Sequence, residues 1–186
     1  MSEHVCPWWI GYLLASPLRK WMGQDPIEIL RPYVREGMTV LEPGPGMGFF
    51  TLPLASLVGA AGRVIAVDLQ PKMIANLKRR AAKAGLLDQI EARLSAADTL
   101  AIADLADKVD FTLAFAVVHE LPDPHRFFRE IEGASRTGAQ VLFAEPRGHV
   151  DMKKFEDELR AATAGRFIVS ERLSIRRSHA VLLAKH

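Results

Sequence analysis

From about residue 38 onward, short apolar runs alternate with segments whose apolar residues recur at helical spacing, which is the pattern of a parallel sheet covered by helices on both faces. Met38 to Leu41 reads as the first strand. Phe49, Phe50, Leu52, Leu54, Leu57 and Val58 then share a helical face that Gly59 and Gly62 bring to an end. Arg63 to Val67 is a second strand. Pro71 opens a helix that carries Met73, Leu77 and Ala81 at helical spacing until Gly85 stops it, and Ile90 to Leu94 is a weaker third strand.

Val109 to Val118 is almost unbroken apolar sequence, rich in β-branched and aromatic residues, and suits a central strand buried on both faces beside the first. Asp123 and Pro124 start a helix with Phe127, Phe128 and Ile131 as its buried stripe. Gln140 to Ala144 is the fifth strand. Asp151 caps a helix in which Met152, Phe155, Leu159 and Ala162 share a face, with Gly165 ending the run. Two strands close the pattern, Phe167 to Ile175 and Ala180 to Ala184. The turn between them, Arg176, Arg177 and Ser178, is too short for a helical crossover, so the last strand is expected to run antiparallel to its neighbour. The prediction is an α/β, doubly wound, seven-stranded sheet, mostly parallel, with helices on both faces.

The first 36 residues differ: they hold all three tryptophans, Trp8, Trp9 and Trp21, with Tyr12 and several leucines, interrupted by Pro7, Pro17 and Pro26. They read as one or two short helices laid over the sheet. The expected organisation is a single domain with a helical lid over residues 1–36 and a core over 37–186.

Composition narrows the function classes. Lys and Arg number 24 against 22 Asp and Glu, spread without a block of either sign, which is too mild to argue for nucleic acid. Cys6 is the one cysteine, so neither an intramolecular disulfide nor a multi-cysteine metal site can form, and a reducing, cytoplasmic setting is expected. No apolar run approaches the roughly 20 residues of a membrane span, and the start lacks the regions of a secretory signal. The expected partner is a small molecule, with no nucleic acid and no membrane; a homodimer stays open.

The segment Val40-Leu41-Glu42-Pro43-Gly44-Pro45-Gly46-Met47-Gly48 joins a strand to a helix, where an open α/β sheet binds ligands. Glycines there let a ligand lie against the main chain. Asp68, about 20 residues beyond Gly48 at the end of the second strand, can accept hydrogen bonds from two ribose hydroxyls, so the ligand is a nucleoside. Dinucleotides and S-adenosylmethionine both fit this description. A dinucleotide fingerprint wants G-x-G-x-x-G, but the third glycine's position is Phe49, and Glu42 would repel a diphosphate while suiting a ligand with an ammonium and a sulfonium.

The pattern E-x-G-x-G-x-G followed by an acid closing the second strand resembles the class I S-adenosylmethionine-dependent methyltransferase family, over residues 38 to 186. The Cys-Pro-Trp-Trp start and the His-Glu-Leu-Pro-Asp turn look like small prokaryotic members of the ubiquinone/menaquinone and arsenite methyltransferase-like type. The resemblance implies a Rossmann-like core. It also implies that Glu42, Gly44, Gly46 and Gly48 hold the amino-acid end of S-adenosyl-L-methionine, with S-adenosyl-L-homocysteine as product. Asp68 takes the ribose, Leu69 and Met73 the adenine ring, and Asp98 the adenine amino group. A core role for Met73 and a helix cap for Asp98 are the competing readings.

The fourth strand ends in Val117-Val118-His119-Glu120-Leu121-Pro122-Asp123. His-Glu is not a zinc-protease motif, because position 123 is aspartate and Pro122 interrupts any helix. Family members that methylate nucleobase amines carry an Asn or Asp, two prolines and an aromatic after this strand, unlike Ala116-Val117-Val118-His119. Arsenite methylation normally employs several cysteines. His119 is the candidate base, or else a histidine that transfers no proton, and Glu120 binds a cationic substrate or orients the imidazole. Glu145 and His149, after the fifth strand, join them as a polar substrate pocket; their spacing supports no metal geometry. Trp8, Trp9 and Tyr12 either stack on the substrate or cover the sheet. The expected function is methyl transfer to a small O, N or S nucleophile by in-line displacement. The competing readings are a catalytically silent S-adenosylmethionine-binding subunit and an NAD-type oxidoreductase.

Overall fold

The computed structural model describes residues 25–186. Cys6, Trp8, Trp9, Tyr12, Trp21 and the proposed lid as far as residue 24 lie outside the described residues. The described chain divides into two compact units, one running up to Leu94 and the other from Ser95 to His186. Among the described residues seven strands form one sheet, in the order Ile90–Leu94, Arg63–Asp68, Thr39–Pro43, Val109–Phe115, Ser135–Pro146, Ser178–Lys185 and Phe167–Leu173.

In the first unit, α1 (Pro26–Leu30) is capped by Asp25, whose Oδ1 accepts the Ile27 amide at 2.9 Å. β1 (Thr39–Pro43) leads into the glycine turn and then α2 (Thr51–Val58), which buries Leu54, Ala55 and Val58. The helix starts at Thr51 and not at Phe49. Phe49 and Phe50 belong to the turn, their rings edge to face at 5.1 Å, because the glycine turn takes longer to reach helical geometry than apolar spacing reveals. β2 (Arg63–Asp68) pairs parallel with β1 and with β3 (Ile90–Leu94). Between them α3 (Pro71–Lys83) opens on Pro71 and buries Met73, Ile74, Leu77 and Ala81, the stripe its periodicity predicts.

In the second unit, β4 (Val109–Phe115) is buried along almost its whole length, as a central strand should be. It ends three residues earlier than the apolar run. Ala116 bends at φ +58° while its amide donates to Ala144 O at 2.7 Å, and Val118–Glu120 form one short 3-10 turn. α4 (Pro124–Ala134) is capped by Asp123 and buries Phe127, Phe128 and Ile131. β5 (Ser135–Pro146) is longer than the predicted strand and pairs parallel with β4 through a register shift between Val109 and Phe111. α5 (Met152–Ala162) is capped by Asp151, Oδ1 to the Lys154 amide at 2.8 Å. It buries Phe155, Leu159 and Ala162, but Met152 is exposed, because it is the first helical residue and lies at the frayed edge of the stripe. Phe128, Phe143 and Phe155 form a continuous aromatic cluster across α4, β5 and α5, the first pair edge to face at 5.3 Å and the second stacked at 5.0 Å.

β6 (Phe167–Leu173) and β7 (Ser178–Lys185) form the expected antiparallel pair. β7 also runs antiparallel to β5, so it lies between β5 and β6 and leaves β6 at the edge. That position matches burial: β7 is buried over most of its length, whereas Ile168 and Val169 on β6 are exposed. The Lys185 ammonium is buried and donates to Glu132 O at 2.8 Å and Ser135 O at 2.5 Å, with Asp107 Oδ1 at 3.2 Å. It fastens the end of β7 to the junction of α4 and β5.

Candidate active site

In the first unit the chemistry collects at the carboxyl ends of β1 and β2. Gly44, Gly46 and Gly48 have φ of +68°, +53° and +85°, a backbone that other residues adopt only at a cost. The turn is fixed from three sides. Gly44 N donates to Val67 O at 2.9 Å, Gly48 N to Pro45 O at 3.0 Å, and the Arg80 guanidinium of α3 donates to Met47 O. Gly46 and Gly48 differ in what they face. A Cβ on Gly46 would meet nothing within 4 Å, whereas one on Gly48 would lie 2.7 Å from Leu77 Cδ1. Gly48 thus provides the close approach of turn to helix, and Gly46 leaves open space.

Glu42, next to the last residue of β1, is 3% exposed, and its Oε2 is buried without a hydrogen-bond partner. Burial above all pushes its carboxyl up to about 8; the Thr51 hydroxyl pulls it down and the Asp68 charge adds to the rise. An unsatisfied buried carboxylate beside a glycine whose position is open is what a cationic ligand group needs. The residues therefore fit the amino-acid end of S-adenosylmethionine. Asp68 closes β2 and is also buried; its Oδ1 accepts the Gln70 amide at 2.8 Å, which orients the carboxylate at the mouth of α3. Leu69 is exposed, whereas Met73 is buried on α3.

In the second unit the chemistry collects at the carboxyl ends of β4 and β5. Glu145 is wholly buried. Its Oε1 accepts the amides of Val118 at 2.8 Å and His119 at 3.3 Å, and its Oε2 lies 2.5 Å from His119 Nδ1. One carboxylate thus holds both the backbone of the 3-10 turn and the ring it presents. Glu145 was expected to line the substrate pocket; it turns inward to hold the histidine. Nδ1 bonded to a carboxylate favours the Nδ1–H tautomer and leaves Nε2 as the basic nitrogen. Glu120 Oε1 stands 3.9 Å from Nε2, and the His149 ring stacks on His119 at 6.0 Å. Burial would lower the His119 pKa, but the hydrogen bond and charge of Glu145, with the charge of Glu120, outweigh it against the opposing Lys154, and the net shift is upward.

Asp98 lies within a tight turn closed by a bridge between Ala96 and Thr99, and its carboxylate pairs with Arg126 at 3.2 Å on the surface; no helix starts there for it to cap. Glu158 on α5 escaped the sequence reading. It is 5% exposed and both its oxygens are buried without hydrogen-bond partners. The signal was present, since Glu158 lies three residues after Phe155 and beside Leu159, on the stripe that α5 buries. Among the described residues no three His, Cys, Asp or Glu side chains converge as a metal centre would require.

Residues 34–173 match the family described as methyltransferase domain. An arsenite methyltransferase of Halobacterium salinarum is 33% identical over 109 residues, 59% of this chain and 27% of that protein. A tRNA (adenine(57)-N(1)/adenine(58)-N(1))-methyltransferase of Methanocaldococcus jannaschii is 29% identical over 113 residues, 52% of this chain and 40% of that protein. The chain thus spans less than half the length of these relatives. Among solved structures, a SAM-dependent methyltransferase from Aquifex aeolicus superposes with a TM-score of 0.85 at 24% identity, covering 98% of this chain and all of that one, a likeness of fold. With most of its length inside one family, the chain belongs to the class I S-adenosylmethionine-dependent methyltransferases.

Proposed function

We propose that the chain transfers a methyl group from S-adenosylmethionine to a small-molecule O, N or S nucleophile, with His119 as the group that takes the acceptor's proton. The observation that carries this reading is the buried Glu42 oxygen without a partner, next to a turn whose three glycines have positive φ. When bound, the cofactor supplies an electrophilic methyl on a sulfonium. Glu42 and the turn would hold its amino-acid end, Asp68 its ribose hydroxyls, Leu69 and Met73 the adenine ring and Asp98 the adenine amino group. In-line displacement asks the protein chiefly to position the reactants and to remove a proton where the nucleophile arrives with one. His119 accepts that proton at Nε2, and Glu145 at Nδ1 fixes the ring and favours the imidazolium that results. Glu120 and His149 flank the ring and bound the acceptor's space.

A small acceptor is favoured over a nucleobase because Ala116-Val117-Val118-His119 lacks the Asn or Asp, two prolines and aromatic of amine-directed base methyltransferases. It is favoured over arsenite because the chain has one cysteine. Calorimetric titration with S-adenosylmethionine, S-adenosylhomocysteine and NADH, followed by labelled methyl transfer to a panel of phenols, amines, thiols and tRNA, tests the reading. Binding of the first two ligands with label on a small molecule is expected. Preference for NADH, or label on tRNA, overturns it. Tight cofactor binding with no transfer to any acceptor indicates a silent cofactor-binding subunit.

A further inference from the structure

Glu158 has no place in the chemistry described above, yet its environment is not that of a structural carboxylate. At its depth a charged group ordinarily has its hydrogen bonds satisfied, and both its oxygens lack them. The neighbouring cation is Lys154, one helical turn earlier, whose Nζ stands 3.9 Å from Glu158 Oε1 and donates to His119 O at 3.4 Å. Lys154 therefore spans from Glu158 to the 3-10 turn that carries His119. From β5, the carboxylate of Glu145 bears on Glu158 as it does on His119, and Asp157 adds a further negative charge from the same helix. Burial first, and then the Glu145 charge, raises the Glu158 carboxyl to about 7, with Lys154 and His119 opposing. On β7, His179 stands opposite Glu145 in the strand register and against the Phe155 ring. Glu120 and His149 complete the groups around His119.

We propose that Glu158 is a positioning residue for His119: acting through Lys154 and beside Glu145, it sets how strongly the imidazole holds a proton, keeping its own proton while His119 is neutral and releasing it when His119 takes one. Ionised Glu158 neutralises the ammonium that opposes the imidazolium, and protonated Glu158 leaves that ammonium unopposed. The proton count closes. The acceptor's proton forms the N–H bond at Nε2, the Glu158 proton passes to water, and the reverse exchange restores both. This inference rests on His119 as the proton acceptor of the proposed reaction, but its test does not require the reaction.

The test is a pH titration of the His119 ring by nitrogen-proton NMR on the ligand-free chain, as wild type and as Glu158→Gln, Lys154→Met and Glu156→Gln. Two coupled groups titrate as a pair, so the wild-type curve is expected to be broader than a single site. Glu158→Gln should sharpen it and lower the proton affinity of His119 at least about threefold, and Lys154→Met should raise it by a similar factor. Glu156→Gln, on the surface of the same helix and paired with Arg172, should leave it unchanged. Opposite signs from the two substitutions are something loosened packing does not produce. An unaltered titration in Glu158→Gln, or shifts of the same sign in both variants, overturns the proposal. If the shifts appear but His119→Gln still transfers methyl groups at the wild-type rate, the network stands and the base assignment falls.

Discussion

The Nδ1 of His119 lies 2.5 Å from Oε2 of Glu145, and the other oxygen of that carboxylate accepts the amides of Val118 and His119 itself. A residue near the end of β5 therefore determines where the loop after β4 can go.

Glu145→Gln keeps an oxygen for the two amides but removes the charge that holds the imidazolium. The His119 pKa is raised in the folded chain, so its contribution to stability is fully present below the ordinary histidine value and is lost as pH rises through the folded value. The substitution should therefore destabilise by about 1–3 kcal/mol near pH 6 and by less near pH 9. Urea denaturation at the two pH values measures the difference; an equal loss at both contradicts the ion pair.

Gly46 and Gly48 separate cofactor binding from folding. Gly46→Ala costs about 1 kcal/mol for its left-handed backbone but meets no neighbour, so thermal stability should change little while S-adenosylhomocysteine affinity falls roughly tenfold or more. Gly48→Ala also collides with Leu77 and should cost about 2–3 kcal/mol before any ligand is added. Paired melting and calorimetry on the two variants decide the matter. Asp68→Ala, with the fold kept, should weaken cofactor binding by roughly 1–3 kcal/mol.

Glu42 should make the ligand-free protein less stable as pH rises. Its folded carboxyl titrates near 8 and an unfolded one near 4.5, so the folded chain holds a proton that the unfolded chain has released across that window. Glu42→Gln should match the wild type near pH 4 and exceed it by about 2–4 kcal/mol near pH 8, while binding S-adenosylmethionine at least about tenfold more weakly. Denaturation curves across that pH range, with and without cofactor, test both halves.

Lys185→Met leaves Glu132 O and Ser135 O without the ammonium that satisfies them. The expected loss is about 2–4 kcal/mol, with earlier hydrogen exchange in β7 than in β1 and β2.

Much of this was legible in the chain because apolar periodicity reports burial directly. The stripes Met73-Leu77-Ala81 and Phe127-Phe128-Ile131 and the glycine turn followed from spacing alone. The position of β7 did not, since a hairpin sequence leaves open which of its two strands joins β5; β7's greater burial decides it, and that depends on partners distant in sequence. Glu145 and Glu158 were obscured for a related reason. Each is an acid at the edge of an apolar stripe, and whether such a residue turns outward or inward depends on what the neighbouring element offers. For Glu145 it is two amides and an imidazole contributed from the residues after β4.

Among the described residues β6 reaches the sheet only through β7, the strand made after it. During synthesis, then, the segment from Phe167 to Leu173 has nowhere to dock while the ribosome is still extending the hairpin, and its exposed Ile168 and Val169 are a site for chaperone capture or mispairing in that interval. Completion of this edge of the sheet therefore waits for β7, and the buried Lys185 ammonium is the latch that fastens it.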